Sequence, residues 1–160
     1  MSQERKVKLI KVLDNVTLES TEAVTQTAAN RVIVDTYQSD QLRLVCKYLT
    51  GAGETSNNAY IKVWGYIGTY DSRNTYPYGK TINTDITGDS DNWIQLGTYD
   101  IADGTATFTA TLFKIAGAAA ATTYYGDFAI GITLPKIRIS AYEDGVASAK
   151  GRLTALVLVQ

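Results

Sequence analysis

The segment Gln41-Leu-Arg-Leu-Val-Cys-Lys-Tyr-Leu49 decides the fold class of this chain. Its even-numbered positions are Leu42, Leu44, Cys46 and Tyr48, and the side chains of a β-strand alternate between its two faces. The sequence therefore predicts a strand that turns these four side chains towards a core. We predict a structural role for the cysteine, because a buried thiol packs as a small hydrophobe and the chain has no histidine to activate it.

Similar alternation recurs on both sides of this segment. Val7 and Leu9 alternate with lysines, which predicts that these two residues face the core. Strands with one apolar and one polar face are typical of antiparallel sheets. We therefore predict an all-β fold, a two-sheet antiparallel sandwich of jelly-roll type, with a closed barrel as the alternative. The predicted strands are Lys6–Leu13, Arg31–Tyr37, Gln41–Leu49, Ala59–Ile67, Trp93–Tyr99, Thr105–Lys114, Tyr124–Leu134, Lys136–Tyr142 and Arg152–Val159.

Two connections between these strands have a second interpretation. The alanine-rich segment Ile115–Thr123 could form a short helix, but Gly117 and the short length favour a connection between two strands. The run Gly51-Ala-Gly-Glu54 lacks the Gly-Lys-Ser/Thr ending of a phosphate-binding loop. We interpret it as a hairpin turn between the strands that end at Leu49 and begin at Ala59.

The length of 160 residues fits one domain. We predict an N-terminal arm over residues 1–5 and a single β-sandwich domain over residues 6–160, with an insertion at about residues 66–92 that is rich in Tyr, Asn, Asp, Thr and Gly. The charged N-terminus lacks the apolar segment of a signal peptide, and no apolar run is long enough to span a bilayer. We therefore expect synthesis in the cytoplasm.

The composition excludes several classes of function. Without histidine and with one cysteine, the chain lacks the commonest proton shuttle and cannot form a disulfide framework. The net charge of −1 offers no general attraction to nucleic acid or to a membrane. We predict a non-enzymatic protein without a cofactor. A glycosidase built on two facing carboxylates, which needs no histidine, is the enzymatic alternative.

Tyrosine is the aromatic residue that dominates this chain, with 11 Tyr against 3 Phe and 2 Trp. Tyrosine combines a large apolar area with a polar end, which suits protein interfaces and sugar stacking alike. Basic residues close to the N-terminus could also contact an acidic partner. The predicted interface residues are Tyr70, Tyr76, Tyr78, Trp93, Arg5 and Lys6.

Three acidic residues in the predicted insertion are the weak candidates for a metal site. Asp85, Asp89 and Asp91 share a glycine-containing turn, and hard cations prefer such oxygen ligands. The spacing does not match an EF-hand loop, and turns select the same residue types. We therefore predict no metal site.

Three runs of sequence carry a resemblance to a known group of proteins: Tyr48–Gly65, Gly117–Tyr125 and Ile137–Val159. They resemble small β-sandwich proteins of tailed bacteriophages, which are commonly virion components such as head decoration, cement or auxiliary proteins. The resemblance implies a virion protein, synthesised in the host cytoplasm, that forms a homo-oligomer, with a trimer as the candidate, and binds the major capsid protein or other virion proteins. A carbohydrate-binding module for attachment, with glycans as the partner, is the alternative hypothesis.

Overall fold

A computed structural model describes residues 7–20, 32–36, 39–53, 57–66, 93–102, 105–131, 135–144 and 149–160, with the backbone alone at 93–94, 98–102, 105–108 and 110. These residues form strands and turns. The alternative interpretation of Ile115–Thr123 as a short helix is therefore wrong, and the segment connects two strands as the favoured interpretation predicts. Among the described residues no helix is long and apolar enough to cross a membrane. The strands are β1 (Lys8–Thr17), β2 (Val34–Asp35), β3 (Leu42–Leu49), β4 (Asn58–Tyr66), β5 (Trp93–Gln95), β6 (Gly97–Ala102), β7 (Thr105–Ala110), β8 (Phe113–Ala116), β9 (Thr123–Ile130), β10 (Lys136–Glu143) and β11 (Arg152–Val159).

Two antiparallel sheets pack against each other, which confirms the predicted two-sheet sandwich. Sheet A has the strand order β1-β11-β3-β9. Sheet B has the order β2-β10-β4-β5, and β8 also pairs with β4. Strands β6 and β7 form a two-stranded sheet of their own. The described strand pairs are all antiparallel.

The core lies between the two sheets and contains the row predicted from the central segment. Leu42, Leu44, Cys46 and Tyr48 are all buried on the inner face of β3. The neighbouring strand β11 contributes a second row in register with it. Inward residues of sheet B close the core from the other side. The buried residues of these neighbouring rows are Leu153, Ala155, Val157, Val159, Ile61, Val63, Ile137, Ile139 and Ala141.

The prediction that Val7 and Leu9 face the core is wrong. These residues are 55% and 59% exposed, and Leu9 lies opposite Leu158 on the outer face of sheet A. Ile10, opposite Val157, packs against the core instead. The two apolar neighbours Leu9 and Ile10 leave the strand phase ambiguous in the sequence, and pairing with β11 decides it.

The prediction of a hairpin between β3 and β4 is also wrong, because β3 belongs to sheet A and β4 to sheet B. The chain crosses from one sheet to the other after Thr50. Gly51 lies against another segment of the same chain. A Cβ atom at this position would be 1.8 Å from the carbonyl oxygen of Ala149. This glycine therefore permits a close backbone approach and not a tight hairpin.

Two predicted strands are each divided in the structure. The segment predicted as Trp93–Tyr99 breaks at Leu96, whose N–H donates to the Val63 carbonyl oxygen at 2.8 Å. The segment predicted as Thr105–Lys114 is divided into β7 and β8. Between these two strands, the N–H of Thr111 donates to the Leu96 carbonyl oxygen at 2.8 Å. Leu96 is thus the point at which the β6–β7 hairpin departs from sheet B and to which the chain returns.

The predicted Tyr-rich insertion follows the end of β4 and precedes the start of β5, which are neighbouring strands of sheet B. Tyr66 at the end of β4 and Trp93 at the start of β5 are register partners, so residues 67–92 connect two adjacent points. Those residues lie outside the described part of the chain, as does the predicted arm at residues 1–5.

A buried carboxylate joins the connections at one end of the sandwich. The Glu143 side chain, 2% exposed, accepts hydrogen bonds from the Asn57 side-chain amide at 2.9 Å and from the Gly151 N–H at 2.8 Å. The Gly117 N–H donates to the Asn57 carbonyl oxygen at 3.0 Å. Three runs of sequence therefore each contribute residues to this end: Tyr48–Gly65, Gly117–Tyr125 and Ile137–Val159.

Candidate interaction surface

The outer face of sheet A, called the A face below, presents one side chain from alternate positions of four adjacent strands. Strand pairing aligns these side chains into rows that run across the sheet. The A face consists of Leu9, Lys11 and Thr17 on β1, Arg152, Thr154, Leu156 and Leu158 on β11, Arg43, Val45, Lys47 and Leu49 on β3, and Thr123, Tyr125, Asp127 and Ala129 on β9.

One half of the A face carries an apolar cluster formed by Leu9, Leu158, Leu156 and Val45. Leu9 pairs with Leu158, and Leu156 pairs with Val45. Leu9 is 59% exposed, and the other three side chains are half-buried. A contiguous apolar patch that the chain leaves in solvent is typical of a surface that another molecule covers. Burying a leucine fully is worth roughly 1.5–3 kcal/mol, so this cluster can supply the centre of an interface.

Some charged residues of the A face form ion pairs within the described part of the chain, and others do not. The Arg43 Nε–H donates to Asp127 Oδ1 at 3.0 Å, and Lys11 Nζ lies 3.1 Å from Asp14 Oδ2. No ion pair joins Lys47 or Arg152 to any part of the chain that the structure describes. The A face therefore has two uncompensated positive charges, although the whole chain has a net charge of −1.

These two cations border a concavity of about 310 Å³. Its lining residues are Asn15, Lys47, Leu49, Arg152 and Thr154. A bulge in β1 helps to form it, since residues 14 and 15 are inserted between two register pairs. Asn15 has a φ of 52°, in the left-handed region, and its N–H donates to Thr154 Oγ1 at 3.1 Å. Asparagine tolerates this conformation better than most residues.

The outer face of sheet B, called the B face, presents the alternate positions 58–66 of β4 and 136–142 of β10. Tyr60 and Tyr142 stack on each other with ring centroids 5.1 Å apart and an interplanar angle of 18°. Lys114 Nζ lies 5.8 Å from the Tyr60 centroid, and Lys62 Nζ lies 5.4 Å from the Tyr142 centroid. The two tyrosine rings thus already contact each other and two cations of the same chain.

A carboxylate next to this pair is satisfied internally. Asp144 accepts hydrogen bonds from the Asn58 N–H, from the Asn58 side-chain amide at 2.7 Å and from the Tyr60 hydroxyl at 3.1 Å. Burial on its own would raise the pKa of Asp144, but these hydrogen bonds and the charge of Lys114 outweigh it and lower the pKa below its ordinary value. The hydrogen bond to Asp144 raises the pKa of Tyr60. The geometry fits a structural link between β4 and β10.

The middle of the B face is buried although it points away from the core. Trp64, Arg138 and Ser140 are 2%, 5% and 2% exposed. The Trp64 indole N–H donates to Ser140 Oγ at 2.7 Å, and the Arg138 guanidinium lies 5.6 Å from the Trp64 ring centroid. Trp64 does not belong to the cluster between the sheets. The chain itself therefore covers the middle of the B face.

The predicted site residues lie largely outside the described part of the chain. Trp93 is described by its backbone at the start of β5. Among the described residues no group of three His, Cys, Asp or Glu side chains could hold a metal ion. Cys46 is buried as predicted, and burial raises the pKa of its thiol to about 12. The residues outside the described ranges are Tyr70, Tyr76, Tyr78, Arg5, Lys6, Asp85, Asp89 and Asp91.

The A face was not predicted from the sequence, although one feature of the sequence indicates it. Strand β11 ends in the uninterrupted apolar run Leu156–Val159. A strand with one solvent-exposed face alternates polar and apolar residues, whereas a strand buried on both faces is apolar at successive positions. Leu156 and Leu158 therefore depart from the pattern of a strand with one solvent-exposed face. The concavity had no such signal, because its residues come from three strands that only the fold brings together.

Comparisons of the chain with models of protein families, with curated proteins and with solved structures gave no match. The resemblance to phage virion proteins stays a prediction.

Proposed function

We propose that this chain is a non-enzymatic structural protein of a phage virion, a capsid decoration, cement or auxiliary protein that binds through its A face. The observation that carries the proposal is the apolar cluster Leu9, Val45, Leu156 and Leu158, which an isolated chain leaves in contact with water. In an assembled particle, neighbouring protein would cover this cluster and gain its burial energy.

The strand order supports the jelly-roll assignment within this proposal. If the strands β5, β6 and β7 are set aside as an insertion, eight framework strands remain. In chain order, sheet A contains the first, eighth, third and sixth of them, and sheet B contains the second, seventh, fourth and fifth. This order is the one that two interlocked Greek keys produce, and jelly rolls of this kind occur in viral capsid proteins.

The size of the A face sets how much of an interface it can supply. Four strands spaced about 4.8 Å apart, with eight residues rising about 3.3 Å each, cover roughly 500 Å² in projection. A standard interface buries about 800 Å² on each partner. The A face can thus form the centre of an interface, and further surface would come from other parts of the chain. A homo-oligomer, with a trimer as the candidate, would place several A faces on one shell.

Mass spectrometry of purified particles from the phage that encodes this chain tests the proposal. We expect the protein at a fixed copy number relative to the major capsid protein. Particles assembled without it should bind the purified protein, and that binding should saturate at the same ratio. Absence from the particles, together with no binding to depleted particles, would contradict the proposal.

Carbohydrate binding is the alternative function. Its supporting observation is that the segment containing Tyr70, Tyr76 and Tyr78 begins and ends beside the paired residues Tyr66 and Trp93. Tyrosine and tryptophan rings can stack on sugars. The test is a glycan array followed by titration of the best ligand: binding that Tyr76→Ala and Tyr78→Ala abolish would support it, and a silent array would exclude it.

A further inference from the structure

We propose that the concavity on the A face binds a carboxylate side chain from an acidic segment of the protein that docks there. This inference rests on the proposed contact role of the A face and names the chemistry of the partner. The concavity is the part of the A face that holds Lys47 and Arg152, which have no ion pair among the described residues, whereas the apolar cluster gives affinity without selecting a charge.

The register of β3 and β11 places the two cations on either side of the concavity. Lys47 pairs with Thr154, and Leu49 pairs with Arg152, so Lys47 and Arg152 are diagonal neighbours on the same face. Diagonal neighbours in an antiparallel pair are about 7–8 Å apart, which long side chains can bridge. A carboxylate between them would accept two parallel hydrogen bonds from the arginine and one from the lysine.

The wall of the concavity supplies a further donor. Thr154 Oγ1 accepts a hydrogen bond from the Asn15 N–H, which leaves the hydroxyl proton of Thr154 free to point at an anion. The bulge at residues 14 and 15 turns Asn15 towards the same space. Bulges that redirect a side chain in this way are common beside functional sites.

Charge complementarity favours an acidic protein over a nucleic acid. The other described ions of the A face, Arg43, Asp127 and Lys11, have partners within the chain. Two isolated cations are too few for the extended phosphate contacts that dominate nucleic-acid binding. Leu49, 36% exposed, lines the concavity, and the apolar cluster occupies the same face. Aliphatic surface beside a pair of cations suits a protein that presents a carboxylate among apolar side chains.

Amide chemical shifts of the labelled full chain, recorded at low salt during titration with a hexaglutamate peptide, test this inference. We expect saturable shifts centred on Asn15, Lys47, Leu49, Arg152 and Thr154, and no shifts with hexaglutamine. The double variant Lys47→Gln/Arg152→Gln should weaken the peptide at least about tenfold, since it removes charge-assisted hydrogen bonds. The control variant Arg43→Gln removes a cation of the same face that already has a partner, and it should bind nearly as the parent does.

Inorganic phosphate and acetate are the matched small probes. Acetate is expected to shift the same amides weakly. Phosphate, which carries more charge, is expected to shift them more than acetate does but to bind less tightly than the peptide. The inference is overturned by absence of shifts with hexaglutamate, by shifts that survive in a folded double variant, or by phosphate that binds more tightly than the peptide. Because the titration uses no particle, its failure differs from failure of the virion proposal, which shows as absence of the protein from particles.

Discussion

The two outer faces of the sandwich are built from the same kind of antiparallel strands but differ in how their side chains are satisfied. The B face is closed by the chain itself: its tyrosines stack, its cations lie near rings, and Trp64 is buried under other parts of the chain. The A face leaves Leu9 exposed and Lys47 and Arg152 without ion pairs in the described chain. The contrast shows a B face whose internal contacts contribute to the stability of the fold, and it agrees with our proposal that the A face binds a partner.

The largest effect that separates the faces is expected from Trp64→Ala. This variant removes a buried aromatic side chain and its hydrogen bond to Ser140, and we expect the free energy of unfolding to fall by about 3–5 kcal/mol in urea titrations. The matched control is Tyr125→Ala on the A face, where the ring is 75% exposed and the expected change is about 0.5 kcal/mol or less. Equal losses in the free energy of unfolding for the two variants would show that the two faces do not differ in their contribution to stability.

A substitution on β11 compares the inner and outer faces within one strand. Leu153→Thr removes a fully buried side chain, and we expect it to lower the free energy of unfolding by about 2–5 kcal/mol. Leu156→Thr and Leu158→Thr change half-buried A-face positions, and each should cost about 1 kcal/mol or less while weakening binding to depleted particles. Normal particle binding by the Leu156→Thr/Leu158→Thr double variant would exclude the apolar cluster as the contact.

The carboxylate on the B face predicts a pH-dependent contribution to stability. Its lowered pKa in the folded state means that Asp144 stabilises the fold above the ordinary value of 3.8, and that this contribution disappears as the pH falls through the folded value. Asp144→Asn should therefore cost about 1–2 kcal/mol at neutral pH, with the difference from the parent shrinking below about pH 4.

The control for that prediction is Asp14→Asn, because Asp14 pairs with Lys11 on the surface with both side chains more than half exposed. An exposed pair of this kind contributes about 0.2–1 kcal/mol. If the two variants show the same loss in urea unfolding at every pH, the hydrogen bonds to Asp144 have no special role.

The sequence predicted the parts of the fold that depend on local alternation. The row Leu42–Tyr48 has its predicted face, because period-two patterning determines which side a residue takes, and the strand Arg152–Val159 has its predicted bounds. The sequence did not predict that β4 pairs in the other sheet, because sheet membership depends on strands distant in the chain. Leu9 was assigned to the wrong face, since neighbouring Ile10 is equally apolar and only pairing with Val157 distinguishes them.

The candidate site was harder to predict, for a physical reason. The A-face concavity combines residues near position 15, near position 48 and near position 153, and no spacing in the sequence marks such a convergence. The outward leucines of β11 were the accessible signal. The aromatic and acidic residues proposed from composition belong to segments outside the described chain, except for the backbone of Trp93, so those predictions stay open to the glycan and particle experiments above.

Hydroxyl-radical footprinting with mass spectrometry, on the free protein and on the protein bound to particles, tests whether the A face is the surface that binds the particle. Tyr125 reports on the A face, and the stacked pair Tyr60 and Tyr142 reports on the B face. We expect particle binding to protect Tyr125 and the exposed Leu9 several-fold and to leave the B-face tyrosines unchanged. Protection of Tyr60 and Tyr142 with full labelling of Tyr125 and Leu9 would contradict it.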